Sequence, residues 1–374
     1  MWIAHVSDCY LPRTGGIETQ VRGLAMRQAA DGDDVSVVTA TPAPGEDRGR
    51  STEILDGVRI ERVTARMPAD IPVHPRTSAH LRQLWQDWPV DVVHVHAGAV
   101  SPFAWGAIRA ARDLGLPVVV TVHSMWGPLA RAGLGGADRL LHWSSAGVVI
   151  TAVSAVAARS VADALDCEVG VLPNGIDLDE WRAPETALTP PPPGLRAVSV
   201  LRLAPRKRVG ALLRVVANAA KASGPGLPIS LTVIGDGPDR GRAELMARWL
   251  GLDVTFTGRL PKVAIRERFA HADAFVQASV RESFGIAALE ARTYGLPVVA
   301  RAQSGTGEFV ANGVNGLLAD DDPGLAGALV ALARDPQLVE RMRRTNAGTP
   351  PPQAWPAVLE QAMGFYRRAL ATNT

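Results

Sequence analysis

The sequence has few cysteines and no long apolar run, and both absences narrow the class of protein. Only two of its 374 residues are cysteine, Cys9 and Cys167, which is too few for a disulfide framework or a zinc cluster and suits a reducing compartment. No apolar stretch approaches the length of a membrane span, and the N-terminal MWIAHVSDCYLP lacks the basic start and cleavage site of a signal peptide. We therefore expect a cytoplasmic protein, with at most weak peripheral contact with the inner face of the cell membrane.

A strong net charge is also absent. The formal net charge is +2, so nothing global indicates a nucleic-acid partner. The charge is unevenly spread, with an acidic excess before residue 190 and a basic excess after it. A basic second half fits a compact anionic ligand there, although chance variation of surface charge would give the same pattern.

Short apolar segments alternate with amphipathic segments along the chain, which predicts parallel sheets covered on both faces by helices. The strands predicted in the first half are 2–7, 34–40, 91–97, 116–124 and 146–154, with helices at 17–30 and 101–114. The strands predicted in the second half are 195–203, 228–235, 253–258 and 273–279. The fold class predicted is α/β, with doubly wound, Rossmann-like sheets.

Two proline-rich stretches interrupt the alternation, TPPPPG at 189–194 and GTPPPQAWP at 348–356. Four consecutive prolines are incompatible with a helix or a central strand. We therefore predict two domains, residues 1–180 and 195–350, and a C-terminal helix at 355–374 that packs back on the first domain. Ligands of doubly wound sheets bind at the carboxyl ends of strands, so two such domains facing each other predict a site in the cleft between them.

Several of the predicted strand ends carry residues suited to an anionic ligand. Gly15 and Gly16 open a helix, where backbone N–H groups can approach an anion closely. His123 follows a buried strand. Arg202 ends another strand, and Lys207, one of three lysines, opens a helix where a cation opposes the macrodipole unless an anion such as a diphosphate offsets it. The alternative interpretations are that the two glycines form only a turn, that His123 is a structural histidine, and that the basic residues lie in a solvated loop.

The stretch ESFGIAALEARTYGLPVVA begins at Glu282. With Ser283 as N-cap, it predicts a helix on which Glu290 lies about 12 Å along the axis from Glu282. The free N–H groups of the first turn would bind phosphate, one carboxylate would face a neighbouring group and the other a hydroxyl-rich group. A nucleotide sugar has this layout. The alternative is two surface glutamates on an amphipathic helix.

Together these loops resemble the retaining glycosyltransferases of family 4, which have the GT-B architecture of two facing Rossmann-like domains. The resemblance covers almost the whole chain, through the segments GGIETQV, TVHS, TAVSAVAA, PNGID, RLAPRKR, VIGDGP, VTFTGRLP, ESFGIAALEARTYGLPVVA and NGVNGLL. Its strongest piece is the E-x7-E pattern of Glu282 and Glu290, followed by Arg202 with Lys207. It implies that Arg202 and Lys207 bind the donor diphosphate and stabilise the leaving group, that Glu282 contacts the donor sugar and that Glu290 binds the ribose hydroxyls.

The resemblance implies further donor contacts. Backbone N–H groups near Phe284 and Gly285 would touch phosphate or sugar, and Gly16 would approach the diphosphate from the first domain. His123 would lie beside the donor sugar, near the anomeric carbon. The segment that would flank the base is Gly258, Arg259 and Leu260. The catalytic residues so implied are Glu282, His123, Arg202 and Lys207.

Two departures from the family pattern stand out. The family usually shows a glycine pair, one further residue and Pro-Glu where this chain has SGTGEFV at 304–310, so Glu308 is kept but the glycine pair is altered. Leu201 stands where a glycine commonly precedes the arginine. The first departure affects backbone contacts with the sugar. The second affects the conformation of the loop that carries Arg202.

The implied reaction is transfer of a hexosyl group from a UDP- or GDP-sugar to an acceptor hydroxyl on a glycan, lipid or small molecule. No cofactor and no metal is expected, because no Asp-x-Asp pair follows a strand and the DDD run at 320–322 has the pattern of a solvated turn. The acceptor should bind mainly on the first domain, in loops 8–16, 66–80 and 97–103, and the basic segment 59–68 is a mild candidate for a lipid-facing surface. Four tryptophans of this domain could line the acceptor site, although core positions are more frequent: Trp85, Trp88, Trp105 and Trp126.

Two alternatives stay open, a nucleotide-sugar epimerase of the same architecture and a nucleotide-sugar-binding protein without catalysis. An epimerase would need no acceptor. A dinucleotide-dependent oxidoreductase is disfavoured, because the chain lacks the GxGxxG fingerprint.

Overall fold

The computed structural model describes most of the chain. The described ranges are residues 1–46, 49–65, 74–141, 143–144, 147–184 and 193–373. The chain divides into two compact units, which are Met1–Gly175 with Trp355–Thr374, and Ile176–Ala354. Within the described ranges, no helix is long and apolar enough to cross a membrane.

The first unit contains a predominantly parallel sheet. Its strands are β1 Trp2–Ser7, β2 Asp34–Thr39, β3 Gly49–Leu55, β4 Val58–Thr64, β5 Val92–Ala97, β6 Val118–Val122, β7 Val148–Ala152 and β8 Val169–Val171. They lie in the order β3-β4-β2-β1-β5-β6-β7-β8, and only the β3–β4 pair is antiparallel. Every residue of β5 and β6 is buried, as the continuous apolar runs of a doubly covered parallel sheet require.

The second unit contains a fully parallel sheet. Its strands are β9 Leu195–Val200, β10 Ile229–Ile234, β11 Val254–Gly258, β12 Ala274–Val276, β13 Val298–Arg301 and β14 Gly316–Ala319. They lie in the order β11-β10-β9-β12-β13-β14. The chain therefore reverses its direction of travel between β9 and β12, as it does between β1 and β5 in the first sheet. Loops after such neighbouring strands diverge and leave a crevice.

Helices cover both sheets. In chain order they are α1 Gly16–Ala30, α2 Thr77–Asp87, α3 Pro102–Asp113, α4 Pro128–Leu141, α5 Ala155–Leu165, α6 Leu178–Trp181, α7 Val209–Ser223, α8 Arg240–Trp249, α9 Lys262–Ala270, α10 Ile286–Thr293, α11 Asp322–Arg334, α12 Pro336–Gly348 and α13 Trp355–Thr372. Short 3-10 turns occupy Pro205–Lys207 and Gly305–Glu308.

Helix α13 belongs to the first unit although it follows the second in the chain. It packs on α1 and on strands β5 to β7. Its buried residues recur at helical spacing and form one stripe: Trp355, Val358, Ala362, Tyr366 and Ala369. The stripe joins a core cluster with apolar residues of β1, β5, β6 and β7, so burial of apolar area holds the helix in place.

Each predicted strand overlaps an observed one, but β3, β4, β8, β13 and β14 were not predicted as strands. The β3–β4 hairpin was missed, because β3 is a mostly exposed, polar edge strand without an apolar alternation. The segment proposed as a lipid-facing surface is wrong over 59–64, because these residues form β4, with Arg62 and Glu61 buried in ion pairs. The first domain was predicted to extend to residue 180, but residues 176–180 belong to the second unit. The adjacent Trp181 packs against Phe269 of that unit.

Parts of two predicted segments lie outside the described residues. They are 189–192 of the proline-rich linker, and 66–73, which covers the end of the basic segment and most of one predicted acceptor loop.

Candidate functional site

Three loops of the second unit meet at the carboxyl edge of its sheet. They follow β9, β12 and β13, and the strand order reverses between the first two. The residues predicted to bind the diphosphate and the sugar lie in the loops after β9 and β12. Because the strands are parallel, one edge collects side chains that are far apart in the sequence.

Lys207 and Glu282 form an ion pair at this edge. Lys207 Nζ lies 2.6 Å from Glu282 Oε2, and the two side chains are 27% and 13% exposed. Lys207 ends the 3-10 turn after β9, and the Ser279 hydroxyl donates to its carbonyl at 3.3 Å. A cation predicted for phosphate and a carboxylate predicted for sugar therefore neutralise each other before any ligand binds.

The neighbouring arginines differ in their partners. Arg208 makes two hydrogen bonds to Asp322, at 2.8 and 3.1 Å, and donates to the Ala278 carbonyl, so it holds the loops together. Asp322 also pairs with Arg301, which corrects the prediction of a solvated turn at 320–322. Arg202 is exposed, and its side chain has no hydrogen bond or ion pair to any residue the structure describes. It is therefore a cation available to an anion in solution.

The helix predicted to start at Ser283 begins later. Gly285, with φ +94°, precedes α10, which runs from Ile286 to Thr293. Glu282 therefore lies in a loop, and the prediction that it shares a helix with Glu290 is wrong. The physical reason is the left-handed backbone at Gly285, which interrupts helical dihedrals and which glycine adopts without strain.

The loop before α10 is held by burial and by a tight contact. Phe284 is 1% exposed and packs on Phe309 with ring centroids 5.5 Å apart. The Gly305 N–H donates to the Glu282 carbonyl at 2.8 Å, and a Cβ at Gly305 would collide with the Ser283 carbonyl. The altered SGTGEFV segment thus retains a glycine where backbone must approach backbone.

The first turn of α10 offers backbone donors. The first bond back into the helix runs from the Leu289 N–H to the Gly285 carbonyl at 3.0 Å. The N–H groups of residues 286–288 precede that bond and point along the helix axis. Together with the positive end of the helix dipole, they suit an anion.

Glu290 lies farther along α10, which packs on α6. Burial raises the pKa of Glu290 to about 8, against the opposing charge of Lys262 and with a smaller contribution from Glu180. Lys262 is itself paired with Glu180 at 2.7 Å. The Glu290 carboxyl is therefore mostly protonated at neutral pH.

The loop after β10 positions the loop that carries Arg202, a structural role that the sequence reasoning missed. Gly235, with φ +132°, packs so closely that a Cβ there would collide with the Leu201 carbonyl. The Leu201 N–H donates to the Ile234 carbonyl at 2.9 Å, and the Leu203 N–H donates to the Asp236 carbonyl at 3.0 Å. The VIGDGP segment was the signal that could have identified this role.

The remaining residues that were predicted to bind the nucleotide sugar follow strands or begin a helix. Arg259 and Leu260 directly follow β11, the first exposed and the second partly buried. In the first unit, Gly16 is the exposed first residue of α1. His123 directly follows β6, so all four stand at carboxyl ends of strands or at a helix start.

His123 has a hydrogen-bonded environment that the sequence reasoning did not foresee. The Nε2 of His123 lies 3.1 Å from His96 Nδ1, and the His123 side chain is also hydrogen-bonded to Asn174. Burial lowers the pKa of His123 to about 4, so the ring is neutral at pH 7. The missed signal was the repetition of histidine in adjacent strands, since His5 is the register partner of His94 and His96 lies two residues on, on the same face.

Three of these histidines are spaced closely enough to suggest a metal. Ring nitrogens of His5, His94 and His96 lie within 4.8 Å of one another. Each of their ring nitrogens already has a hydrogen-bond partner within the first unit, at 2.7 to 3.1 Å. A ligand nitrogen needs its lone pair for the metal, so the cluster does not fit a resident ion.

The tryptophans proposed for the acceptor divide into two groups. Trp85 and Trp126 are buried core residues, at 4% and 7% exposure. Trp88 is 45% exposed, stacks on Trp2 and lies under the Arg59 guanidinium. Trp105 is partly buried and stacks on Trp143. Core packing thus accounts for two of the four.

The chain thus forms two α/β units with largely parallel sheets, and the carboxyl edge of one sheet carries cations and a helix start suited to an anionic ligand. Residues 14–180 match the model of Glycosyltransferase Family 4, and residues 188–348 match that of Glycosyl transferases group 1. The chain is 30% identical to the GDP-mannose-dependent alpha-mannosyltransferase of Mycolicibacterium smegmatis, in an alignment that covers 100% of this chain and 99% of that protein. The chain therefore belongs to the family 4 glycosyltransferases.

Two further similarities agree with this assignment. The D-inositol 3-phosphate glycosyltransferase of Acidothermus cellulolyticus is 29% identical, over 99% of this chain and 90% of that protein. The crystal structure of Anabaena HepE in complex with UDP and glucose superposes with a TM-score of 0.75 at 17% identity, covering 98% of this chain and 99% of that one. The predicted GT-B fold is confirmed.

The Lys207–Glu282 pair should be measurable without a ligand. We expect a double-mutant cycle of Lys207→Met and Glu282→Gln, followed by urea unfolding, to give a coupling free energy of about 1 kcal/mol, because the pair is short and mostly shielded from water. The exposed pair Arg341–Asp335, 3.4 Å apart, is the matched control and should give a coupling near zero. Equal coupling in both pairs would show that the contact contributes no more than a surface ion pair.

Proposed function

We propose that this glycosyltransferase moves a hexosyl group from a nucleoside-diphosphate sugar to an acceptor hydroxyl, with retention of configuration at the anomeric carbon. The observation that carries the proposal is the Lys207–Glu282 pair, with the exposed Arg202 in the same loop as Lys207, at the reversal of strand order in the second sheet. Cations, backbone donors and a carboxylate at one edge match a diphosphate attached to a sugar.

The relatives suggest which donors to test. The Mycolicibacterium smegmatis relative depends on GDP-mannose, and the HepE structure holds UDP and glucose. GDP-mannose and UDP-glucose are therefore the first two donors in a panel. We place the reaction in the cytoplasm, because both cysteines are free thiols and suit a reducing compartment. The acceptor is a glycan, a lipid or a small molecule, and a lipid acceptor would bring the enzyme to the inner face of the membrane.

Donor entry would rearrange the ion pair. Phosphate oxygens offer Lys207 a partner of higher charge than the single carboxylate it holds in the free protein. When Lys207 turns to the diphosphate, Glu282 becomes available to accept hydrogen bonds from sugar hydroxyls. Arg202 would add a second cation, and the first turn of α10 near Phe284 and Gly285 would supply backbone donors.

The other roles follow the resemblance. Glu290 would accept hydrogen bonds from the ribose hydroxyls, while Arg259 and Leu260 would flank the base. From the first unit, Gly16 would bring backbone N–H groups to the diphosphate and His123 would contact the donor sugar.

The bond changes need no protein nucleophile. The acceptor oxygen forms a bond to the anomeric carbon on the face from which the phosphate oxygen departs, and a donor phosphate oxygen takes the acceptor proton. Negative charge grows on the departing diphosphate, where Arg202 and Lys207 stabilise it. Positioning and charge stabilisation therefore supply the catalysis.

The two alternatives differ from transfer in their products. An epimerase would convert the donor sugar without any acceptor, and a binding protein would leave the donor intact. Product analysis with donor alone and with donor plus acceptor separates all three. Slow hydrolysis of the donor, which stops at free sugar and nucleotide, would agree with a transferase that lacks its acceptor.

Replacing Lys207 with alanine should lower turnover by about 10²–10³, by analogy with the loss of one transition-state donor. The measurement is the rate of nucleotide release from the donor that the panel identifies. Lys221→Ala is the matched control, because Lys221 is an exposed lysine in the last turn of α7. Near-normal turnover of Lys207→Ala would refute the role given to this residue.

Donor affinity should depend on pH through Glu290. If the ribose hydroxyls donate to its carboxylate, binding requires the ionised form of a group whose pKa is about 8 in the free protein. Affinity should then rise by about tenfold per pH unit below 8 and level off above it. A nucleotide sugar is the suitable probe for calorimetry, and Glu290→Gln should remove the dependence. An affinity that falls as pH rises would show that the protonated carboxyl is the binding form.

We propose that the enzyme works without a metal, because Arg202 and Lys207 supply the positive charge that a divalent ion would otherwise provide. Treatment with EDTA should leave turnover within about twofold of the untreated rate, a small change against the 10²–10³ attributed to a charge-stabilising group. Activity that disappears with EDTA and returns with Mn²⁺ or Mg²⁺ would overturn this part of the proposal.

A further inference from the structure

A cavity of about 320 Å³ opens at the amino edge of the sheet in the first unit. Trp2 and Asp34, the first residues of β1 and β2, line it. Because a parallel strand rises about 3.3 Å per residue, the start of β1 lies about 16 Å from its carboxyl end. The cavity is therefore distinct from the strand ends that carry His123 and the other residues predicted to bind the nucleotide sugar. Its volume is in the range of small-molecule sites, about 300–1,000 Å³.

The strand register places five of the lining side chains on one face of the sheet. Trp2 is the register partner of Asp34, and Ser36 is that of Arg59, both in parallel pairs. Arg59 is in turn opposite Ile54 in the antiparallel β3–β4 pair. Paired residues point to the same face, and so do residues two apart in one strand. An indole, a carboxylate, a hydroxyl, a guanidinium and an aliphatic side chain therefore form one row across four strands.

Tryptophans supply the apolar part of the cavity. Trp85 of α2 is a buried part of the wall, and Trp88 directly follows the end of α2. The rings of Trp2 and Trp88 stack at an interplanar angle of 16°, and the two residues are 38% and 45% exposed. Tryptophan is highly buried on average, so core packing does not account for either ring. The two indoles thus form an exposed aromatic surface beside the polar row.

A charged side chain holds Trp88 in place. The guanidinium carbon of Arg59 lies 4.2 Å from the centroid of the Trp88 ring, a cation–π contact. Arg59 is itself held by Glu61, which is 1% exposed and accepts a hydrogen bond from Arg59 Nε. A ring that is fixed before a ligand arrives loses little conformational freedom on binding. The aromatic surface is therefore preorganised for a ligand.

The chemistry of the lining side chains distinguishes the classes of ligand. A phosphate is disfavoured, because the lining carboxylates of Asp33, Asp34 and Glu61 outnumber the single lining guanidinium. An organic cation would meet Arg59 in the position above an indole that a cation prefers. A wholly apolar ligand would cover Asp34 and Ser36 without giving them hydrogen-bond partners. The ligand that fits has an apolar face for the indoles and hydroxyl groups that both donate and accept hydrogen bonds.

We propose that this cavity binds a pyranose ring of a neutral glycan. The C–H face of the ring packs against Trp2 and Trp88, and its hydroxyls donate to the Asp34 carboxylate and accept from the Arg59 guanidinium. The inference goes beyond the proposed function and does not depend on it, because the cavity would bind the glycan without a donor. If the acceptor of the enzyme is a glycan, the cavity would keep that glycan on the protein between transfers and raise its effective concentration.

Glycan binding can be measured on the whole chain without any nucleotide sugar. The probes are maltoheptaose and an α-linked mannotetraose, and their binding is followed by saturation-transfer difference NMR. We expect a Kd on the order of 1 mM for at least one of them, because the contact involves a single sugar ring. Trp88→Ala should weaken binding by about tenfold, since it removes an aromatic contact, and Trp88→Phe should retain part of the affinity. Trp249→Ala is the matched control, because Trp249 is 83% exposed on α8 of the second unit.

A second variant makes the test independent of the packing around Trp88. Asp34 is exposed, so Asp34→Ala should keep the fold and still weaken glycan binding several-fold through the loss of a hydrogen-bond acceptor. Three results would overturn the proposal: no binding of either glycan, unchanged binding in both Trp88→Ala and Asp34→Ala, or an equal loss in Trp249→Ala. Binding of choline or inorganic phosphate in this cavity in place of the glycans would also overturn it. A protein that binds glycan here but transfers no sugar would instead refute the proposed function and leave this inference standing.

Discussion

The constraint on which this structure depends is the parallel arrangement of its two sheets. A parallel strand needs a crossover connection, so most strands are followed by a helix, and the carboxyl ends of all strands except the antiparallel β3 collect at one edge of their sheet. Residues separated by 75 positions, such as Lys207 and Glu282, become neighbours through this topology. The tight glycine contacts at Gly235 and Gly305 then bring the loops within hydrogen-bond distance of each other. The connectivity of the strands thus brings these side chains together. Their chemical types then decide what the candidate site could bind.

Charge at the candidate donor site is balanced before a ligand arrives. Lys207 is paired with Glu282 and Arg208 with Asp322, while Arg202 stays exposed to solvent. A partly buried cation without a partner would lose solvation, whereas a paired one can exchange its carboxylate for phosphate at little cost. In the proposed function, this exchange would make Glu282 available only after Lys207 has left it. One ion pair would in this way couple binding of the diphosphate to recognition of the sugar.

The sequence predicted most strands of the sheets and placed most candidate site residues at strand ends, because both depend on local apolar runs and on where those runs stop. It failed where conformation depends on contacts distant in sequence. Ser283 has the pattern of an N-cap, yet the buried Phe284 and the left-handed Gly285 delay α10 to Ile286. No propensity rule predicts that Gly305 packs against the loop before α10. Similarly, a histidine in a strand gives no sign of its partners until the strand order is known, so His123 could be singled out but its support by His96 could not.

The two units differ in the charge and burial of the polar groups at their candidate site residues. The candidate site of the second unit relies on charge, with lysine, arginine and glutamate near the surface. In the first unit, His123 is neutral and is hydrogen-bonded to His96 and Asn174, and further buried side chains, among them His5 and Gln28, continue the contacts behind His96. A neutral network in a low-dielectric interior is stable only when all members are satisfied, since one missing partner leaves a donor or acceptor buried without compensation. The histidines of this network meet that requirement, because each ring nitrogen of His5, His94 and His96 has a hydrogen-bond partner.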